Sequence, residues 1–75
     1  MSYQYLNQIM WLNDYWGHVP ALHLDKDGLP TRNRGYLVVE RTDRKSTHFI
    51  EHIMYQDLND AINFINDKEA KLHQT

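Results

Sequence analysis

The chain of 75 residues contains no cysteine, three glycines and two prolines. Without cysteine, the disulfide frameworks of small secreted domains and thiol nucleophiles are both excluded. No apolar run approaches the roughly 20 residues that span a bilayer. The N-terminal residues do not have the basic and apolar segments of a secretory signal. We therefore expect a cytoplasmic protein that does not contact membranes.

The composition is typical of one small globular domain, which we assign to residues 1–75. Hydrophobic residues make up 41% of the chain and charged residues 24%, which is too apolar for a disordered chain. A chain of this length removes only roughly 60% of its unfolded surface from water, so the core is thin. The length also excludes dinucleotide-binding and barrel enzymes.

The N-terminal segment is predicted to be a helix over residues 3–16. Ser2 is a suitable N-cap, Gly17 would end the helix, and Pro20 would prevent its continuation. Apolar residues recur with a helical period at Tyr5, Leu6, Ile9, Leu12 and Trp16.

Two strands and a turn are predicted next. Residues 19–25 suit a short strand, with Pro20 at a sheet edge or a strand start. Asp25 to Gly28 form a turn in which Gly28 takes a positive φ, and a loop continues to Arg34. The alternating residues Gly35–Thr42 indicate a second strand.

Residues 47–55 fit two structures. Their β-branched and aromatic residues follow the polar turn 43–46 and favour a hairpin. Their apolar spacing also fits a single helix from Thr47 to Leu72, more than twice the mean helix length of about 11–12 residues. We favour the hairpin and keep the long helix as the alternative.

The C-terminal segment is predicted to be an amphipathic helix. Asp57 and Asp60 lie near its start and Lys68 and Lys71 near its end, which matches the helix dipole. Its apolar stripe consists of Leu58, Ala61, Ile62, Ile65 and Leu72. The predicted fold is α+β, a small three-stranded antiparallel sheet with the order α-β-β-β-α packed with both helices, or α-β-β-α if the hairpin prediction fails.

The strand 47–55 carries apolar residues on both sides, with Phe49 and Ile53 on one and Ile50 and Met54 on the other. A sheet covered on one face alternates more cleanly. Either the helices cover both faces or a second molecule covers one of them. The second alternative predicts a homodimer.

No set of residues indicates catalysis, a metal site or a cofactor. His48 and His52 on a strand would stand about 13 Å apart, too far for one zinc ion. Neither serine, Ser2 or Ser46, has an evident orienting acid or oxyanion cradle, and the nearness of Ser46 to His48 in sequence does not by itself make a catalytic pair. The remaining histidines, His18, His23 and His73, are interpreted as surface or half-buried residues.

Aromatic residues are concentrated in the first 16 residues, at Tyr3, Tyr5, Trp11, Tyr15 and Trp16. Trp11 and Tyr15 lie away from the centre of the predicted helical stripe. Tyrosine and tryptophan supply much of the energy of protein interfaces. We therefore predict Trp11 and Tyr15 as partner-binding residues, with a core role as the alternative.

Residues 29–45 are basic, with five cationic and two acidic side chains, whereas the flanking segments are acidic. These cations, which could contact an anionic partner such as nucleic acid, are Arg32, Arg34, Arg41, Arg44 and Lys45. The predicted order of elements is similar to that of the double-stranded-RNA-binding domain, which places a basic cluster at the start of its last helix. Residues 56–61 depart from that pattern because they contain Asp57 and Asp60. The C-terminal part also resembles small domains in which a three-stranded sheet backed by a helix binds DNA.

The sequence therefore predicts a non-enzymatic protein-binding or regulatory module that acts through its surface, alone or as a homodimer. The alternative is a nucleic-acid-binding module that uses the basic region 31–45. An enzyme subunit or a metal-binding role ranks third.

Overall fold

A computed structural model describes residues 2–72. His73 and the side chains of Lys71 and Leu72 lie outside the described residues. The elements are strands β1 (Tyr3–Tyr5), β2 (Met10–Trp11), β3 (Trp16–Leu24), β4 (Pro30–Arg41) and β5 (Phe49–Tyr55), followed by helix α1 (Leu58–Leu72).

All five strands form one antiparallel sheet in the order β1-β3-β4-β5, and β2 pairs with β3 beside β1. β1 and β2 therefore form one edge strand that is split into two short pieces. The predicted small antiparallel sheet and C-terminal helix are confirmed, but the sheet has five strands rather than three. The order of elements is thus not the α-β-β-β-α order on which the resemblance to the double-stranded-RNA-binding domain depended.

The predicted N-terminal helix over residues 3–16 is wrong. Tyr3 to Tyr5 pair with His23 to Ala21, and Ser2 accepts a backbone hydrogen bond from Leu24 instead of capping a helix. The Asn13 side chain forms the turn into β3, because its Oδ1 accepts hydrogen bonds from the backbone of Tyr15 and Trp16 at 2.9 and 2.8 Å. Asparagine satisfies the backbone locally in this way and so competes with a helix.

The remaining elements follow the predictions more closely. β3 begins three residues before the predicted strand, and β4 begins at Pro30 rather than Gly35. Gly28 has a φ of 80°, as the predicted turn requires. β5 confirms the hairpin, so the long-helix alternative is wrong.

Helix α1 begins at Leu58, directly after its N-terminal capping residue Asp57. Asp57 Oδ1 accepts a hydrogen bond from the backbone N–H of Asn59 at 2.9 Å, which satisfies one of the free donors of the first turn. Ala61 and Ile65 are fully buried against Trp16 and Val38 of the sheet. Two residues of the predicted apolar stripe therefore pack on one face of the sheet, called here the helix face.

The opposite face is also buried, although no second helix covers it within residues 2–72. Its centre consists of Val19, Ala21, Leu37 and Val39, all fully buried. They are covered by the side chains of the flanking strands and the segment between β1 and β2: Tyr3, Tyr5, Ile9, Trp11, Phe49 and Met54.

The sheet is strongly curved towards this opposite face. The rings of Tyr5 and Phe49 stack with centroids 6.2 Å apart, although they belong to strands at opposite edges. Three strand spacings in a flat sheet would separate them by about 14 Å. Trp11 contacts Phe49 edge-on at 6.5 Å. We call these three rings the aromatic cover.

Candidate interaction surface

Pro20 splits the edge strand. Its carbonyl accepts a hydrogen bond from the N–H of Leu6 at 2.8 Å, so the backbone of Pro20 faces the edge strand. Proline has no N–H to donate in return. The ladder breaks there, and residues 7–9 leave the sheet before pairing resumes between Met10 and His18.

The split edge exposes large apolar side chains. Within the described side chains, seven large hydrophobic residues are exposed, and four of them lie in residues 6–15. We call these four, Leu6, Met10, Leu12 and Tyr15, the edge surface. Met10 is the most exposed of them, at 61%. They follow the outer side of β3 from Pro20 to Trp16, a span of about 13 Å.

A groove of about 260 Å³ opens beside the edge surface. We call it the His18 groove. It lies where the segment between β1 and β2 leaves the sheet, and its lining residues are Asn7, Gln8, Met10, His18, Pro20 and Tyr36. Since Met10 belongs to both features, the groove is continuous with the edge surface.

His18 is the buried polar residue of this region. It is 9% exposed, its ring lies edge-on to Tyr36 at 6.4 Å, and its Nδ1 is enclosed without a hydrogen-bond partner. Burial lowers the pKa of His18 below its ordinary value of 6.5, because the charged form loses hydration. The imidazole is therefore neutral at pH 7.

The two predicted partner-binding residues lie in different environments. Trp11 is half-buried in the aromatic cover, and the Arg41 guanidinium lies 4.0 Å from the centroid of its ring. Tyr15 is 38% exposed at the end of the edge surface. The structure therefore places Trp11 against the core and Tyr15 on the surface. Leu12, predicted to be in the core stripe, is instead exposed, whereas Trp16 is buried as expected.

The predicted basic region does not form one patch. Arg32 and Arg34 lie in the first half of β4, and Arg41 lies at its end. Seven residues of strand separate Arg34 from Arg41, about 23 Å. Arg44 forms an ion pair with Asp14 at 3.2 Å, and Lys45 is exposed in the following turn.

His48 and His52 lie in different surroundings. His52 Nε2 lies 2.9 Å from Glu40 Oε1, and its ring packs against Trp16 at 4.9 Å. His48 is exposed near the preceding turn. Within the described part of the chain, no three histidine or carboxylate side chains are grouped to hold a metal ion.

A recess of about 440 Å³ beside the β3–β4 turn is less suited to recognition. Three of its lining residues already form hydrogen bonds within the chain. Asp25 Oδ1 accepts hydrogen bonds from the backbone of Asp27 and Leu29, and Thr31 Oγ1 donates to the His23 carbonyl. These groups are therefore partly used before any ligand binds.

Sequence reasoning did not identify Met10 and Leu6 as exposed residues or His18 as a buried residue beside a groove. Pro20 was the available signal, because a proline inside a strand indicates a break in the adjacent ladder. In the described range 2–72, no helix has the length and apolar character needed to cross a membrane. Comparisons with protein-family models, with curated proteins and with solved structures found no match.

Proposed function

We propose that this chain is a non-enzymatic protein-binding module and that its edge surface is the binding site. The observation that supports this proposal is the concentration of exposed apolar side chains at the split edge, beside an open groove. Clustered apolar exposure of this kind is typical of protein interaction sites. Tyr15 and the exposed thioether of Met10 are residue types that interfaces favour.

The partner binds with its side chains rather than by adding a strand. Strand addition needs an extended edge with free backbone groups. One edge is interrupted at Pro20, and β5 has an irregular register between Met54 and Glu51. Bulges and breaks of this kind oppose edge pairing.

The test is capture of partners from the native host with a Met10→Ser/Leu12→Ser variant. The matched control is Leu29→Ser, because Leu29 is 60% exposed, like Met10, but lies in the β3–β4 turn. We expect the double variant to lose the captured protein and the control to retain it. A photocrosslinking residue at position 10 should label the same protein, whereas one at position 26 should not. Capture that is equal for all variants would contradict the proposal.

The nucleic-acid alternative has weaker support because its cations are divided between the two ends of β4. It remains a prediction, and a shift assay at ~50 mM salt tests it, since phosphate contacts are strongest at low salt. Binding that Arg32→Ala/Arg34→Ala abolishes would favour the alternative.

A further inference from the structure

The His18 groove exists because three features coincide. Pro20 interrupts the edge ladder, residues 7–9 leave the sheet, and the helix packs over Trp16 and Val38 instead. Its lining residues come from the split edge strand, β3 and β4. A recess therefore remains on the helix face of the sheet, beside the apolar edge surface.

The groove has one buried polar group at its base. His18 lines the groove, while its Nδ1 is enclosed in the protein without a partner. An enclosed N–H without an acceptor is unfavourable, so the proton of a neutral imidazole is better placed on Nε2. Nε2 is then the ring nitrogen that can donate an N–H to a hydrogen-bond acceptor in the groove.

The other walls are largely apolar. Met10, Pro20 and Tyr36 line the groove with His18, and the amide residues Asn7 and Gln8 complete the lining. A methionine thioether contacts aromatic rings favourably. A volume of about 260 Å³ is ample for one ring, since an apolar cavity of roughly 150 Å³ binds benzene.

We propose that the His18 groove is a binding site for a small, flat apolar group that carries a neutral hydrogen-bond acceptor, with His18 Nε2–H as the donor. In a protein partner, this group is an apolar side chain next to a backbone carbonyl. That identification of the occupant rests on the proposed protein-binding function. The ligand chemistry does not, because it follows from the groove itself.

Two probes of similar shape test the ligand chemistry. Acetophenone has a carbonyl on its ring, and ethylbenzene has none. Both are titrated into the full chain while NMR follows the Met10 methyl, the Tyr36 ring and the His18 imidazole. Ethylbenzene is the more hydrophobic probe, so a recess that binds through hydrophobic contact alone would bind ethylbenzene more tightly.

We expect saturable shifts at these three residues with acetophenone and at least a several-fold weaker affinity for ethylbenzene. His18→Phe keeps the apolar volume but removes the donor, so it should erase that preference. Met10→Ala, at an exposed position, should weaken the binding of both probes and leave the preference for acetophenone unchanged. If His18→Phe fails to fold, the affinity difference between the two probes and the shifts of the His18 imidazole in the unsubstituted chain still test the donor, and Met10→Ala tests the location of the site.

Several outcomes would overturn the proposal. They are the absence of saturable shifts up to the solubility limit, equal or tighter binding of ethylbenzene, or shifts confined to the other recess at the β3–β4 turn. Probe binding together with unchanged partner capture by Met10→Ser/Leu12→Ser would support the groove and refute the edge surface as the protein-binding site. Loss of partner capture in that variant, without probe binding to the unsubstituted chain, would support the edge surface as the protein-binding site and refute the groove as a ligand site.

Discussion

At the scale of single residues, burial shifts the pKa of two side chains, His18 and Tyr5, in the direction that favours their neutral forms. His18 is held neutral in the sheet because its charged form would lose hydration. Tyr5 donates a hydrogen bond from its hydroxyl to Glu51 Oε2 at 2.7 Å. Burial, and then this carboxylate, raise the pKa of Tyr5, so its hydroxyl stays protonated and continues to donate.

His18 should make the fold sensitive to acid. Its pKa is lower in the folded state than the ordinary 6.5, so the unfolded chain binds the proton more readily. The free energy of unfolding should therefore fall as the pH drops below about 6.5 and level off below the folded-state pKa. Urea denaturation at several pH values measures this, with His18→Gln as the comparison. Equal pH dependence in both proteins would contradict the prediction.

The bond between Tyr5 and Glu51 connects β1 to β5 across the curved sheet. Tyr5→Phe should lower the free energy of unfolding by about 0.5–1.5 kcal/mol, and Glu51→Gln should have little further effect in that background. Tyr15→Phe is the control, because Tyr15 is an exposed tyrosine that is not one of the three rings of the aromatic cover. Fully additive effects of the Tyr5 and Glu51 substitutions would show that the two residues are not coupled.

At the scale of elements, β3 pairs along one side with two short strands, β1 and β2, rather than with one continuous strand. Tyr3 to Tyr5 pair near its end, and Met10 and Trp11 pair near its start. Gly17 permits the second pairing, because a Cβ there would lie 2.8 Å from both the Met10 carbonyl oxygen and the Trp11 ring. This glycine is therefore required for close approach rather than for ending a helix.

Gly17→Ala should destabilise the protein by about 1–3 kcal/mol, the usual range for overpacking. Gly28→Asn is the matched control. Its site has a φ of 80° and open space around the missing Cβ, and asparagine tolerates positive φ better than most residues. Thermal and urea unfolding of both variants would check this. A harmless Gly17→Ala would mean that β2 does not approach β3 so closely.

At the scale of the whole molecule, the two faces of the sheet are covered by different means. Helix α1 covers one face, and the aromatic cover, with its neighbours, covers the other. The predicted two-sided apolar pattern of β5 is only partly covered within the chain. The register shift in β5 brings Phe49 and Met54 onto the face opposite the helix, whereas Ile50 and Ile53 are 49% and 45% exposed. A homodimer remains a prediction, which sedimentation at high concentration tests. A strict monomer would reject it.

The N-terminal segment is predicted to be essential for folding, because it supplies two of the three rings of the aromatic cover. A chain lacking residues 1–11 should expose Val19, Ala21, Leu37 and Val39 to water. We expect loss of cooperative thermal unfolding and binding of the dye ANS, as in a molten globule. Tyr3→Ser, which leaves the cover in place, is the milder comparison. A cooperative transition in the shortened chain would contradict the prediction.

Local signals in the sequence were sufficient for the last helix, the β3–β4 turn and the final hairpin. Asp57 caps α1, Gly28 takes the positive φ that its turn needs, and the polar break at 43–46 separates β4 from β5. Each of these depends on groups within a few residues of one another, so one sequence suffices to predict them.

Only the tertiary structure decided whether residues 3–16 form a helix or strands, and this choice also creates the candidate site. Tyr5, Ile9 and Trp16 fit a helical period, but Tyr3 with Tyr5 and Ile9 with Trp11 also alternate as in strands. The segment forms strands because it pairs with the edge of β3, and because Phe49, far along the chain, stacks with Tyr5. Such non-local contacts outweigh local propensity, and the split edge, the His18 groove and the exposed Met10 all follow from them.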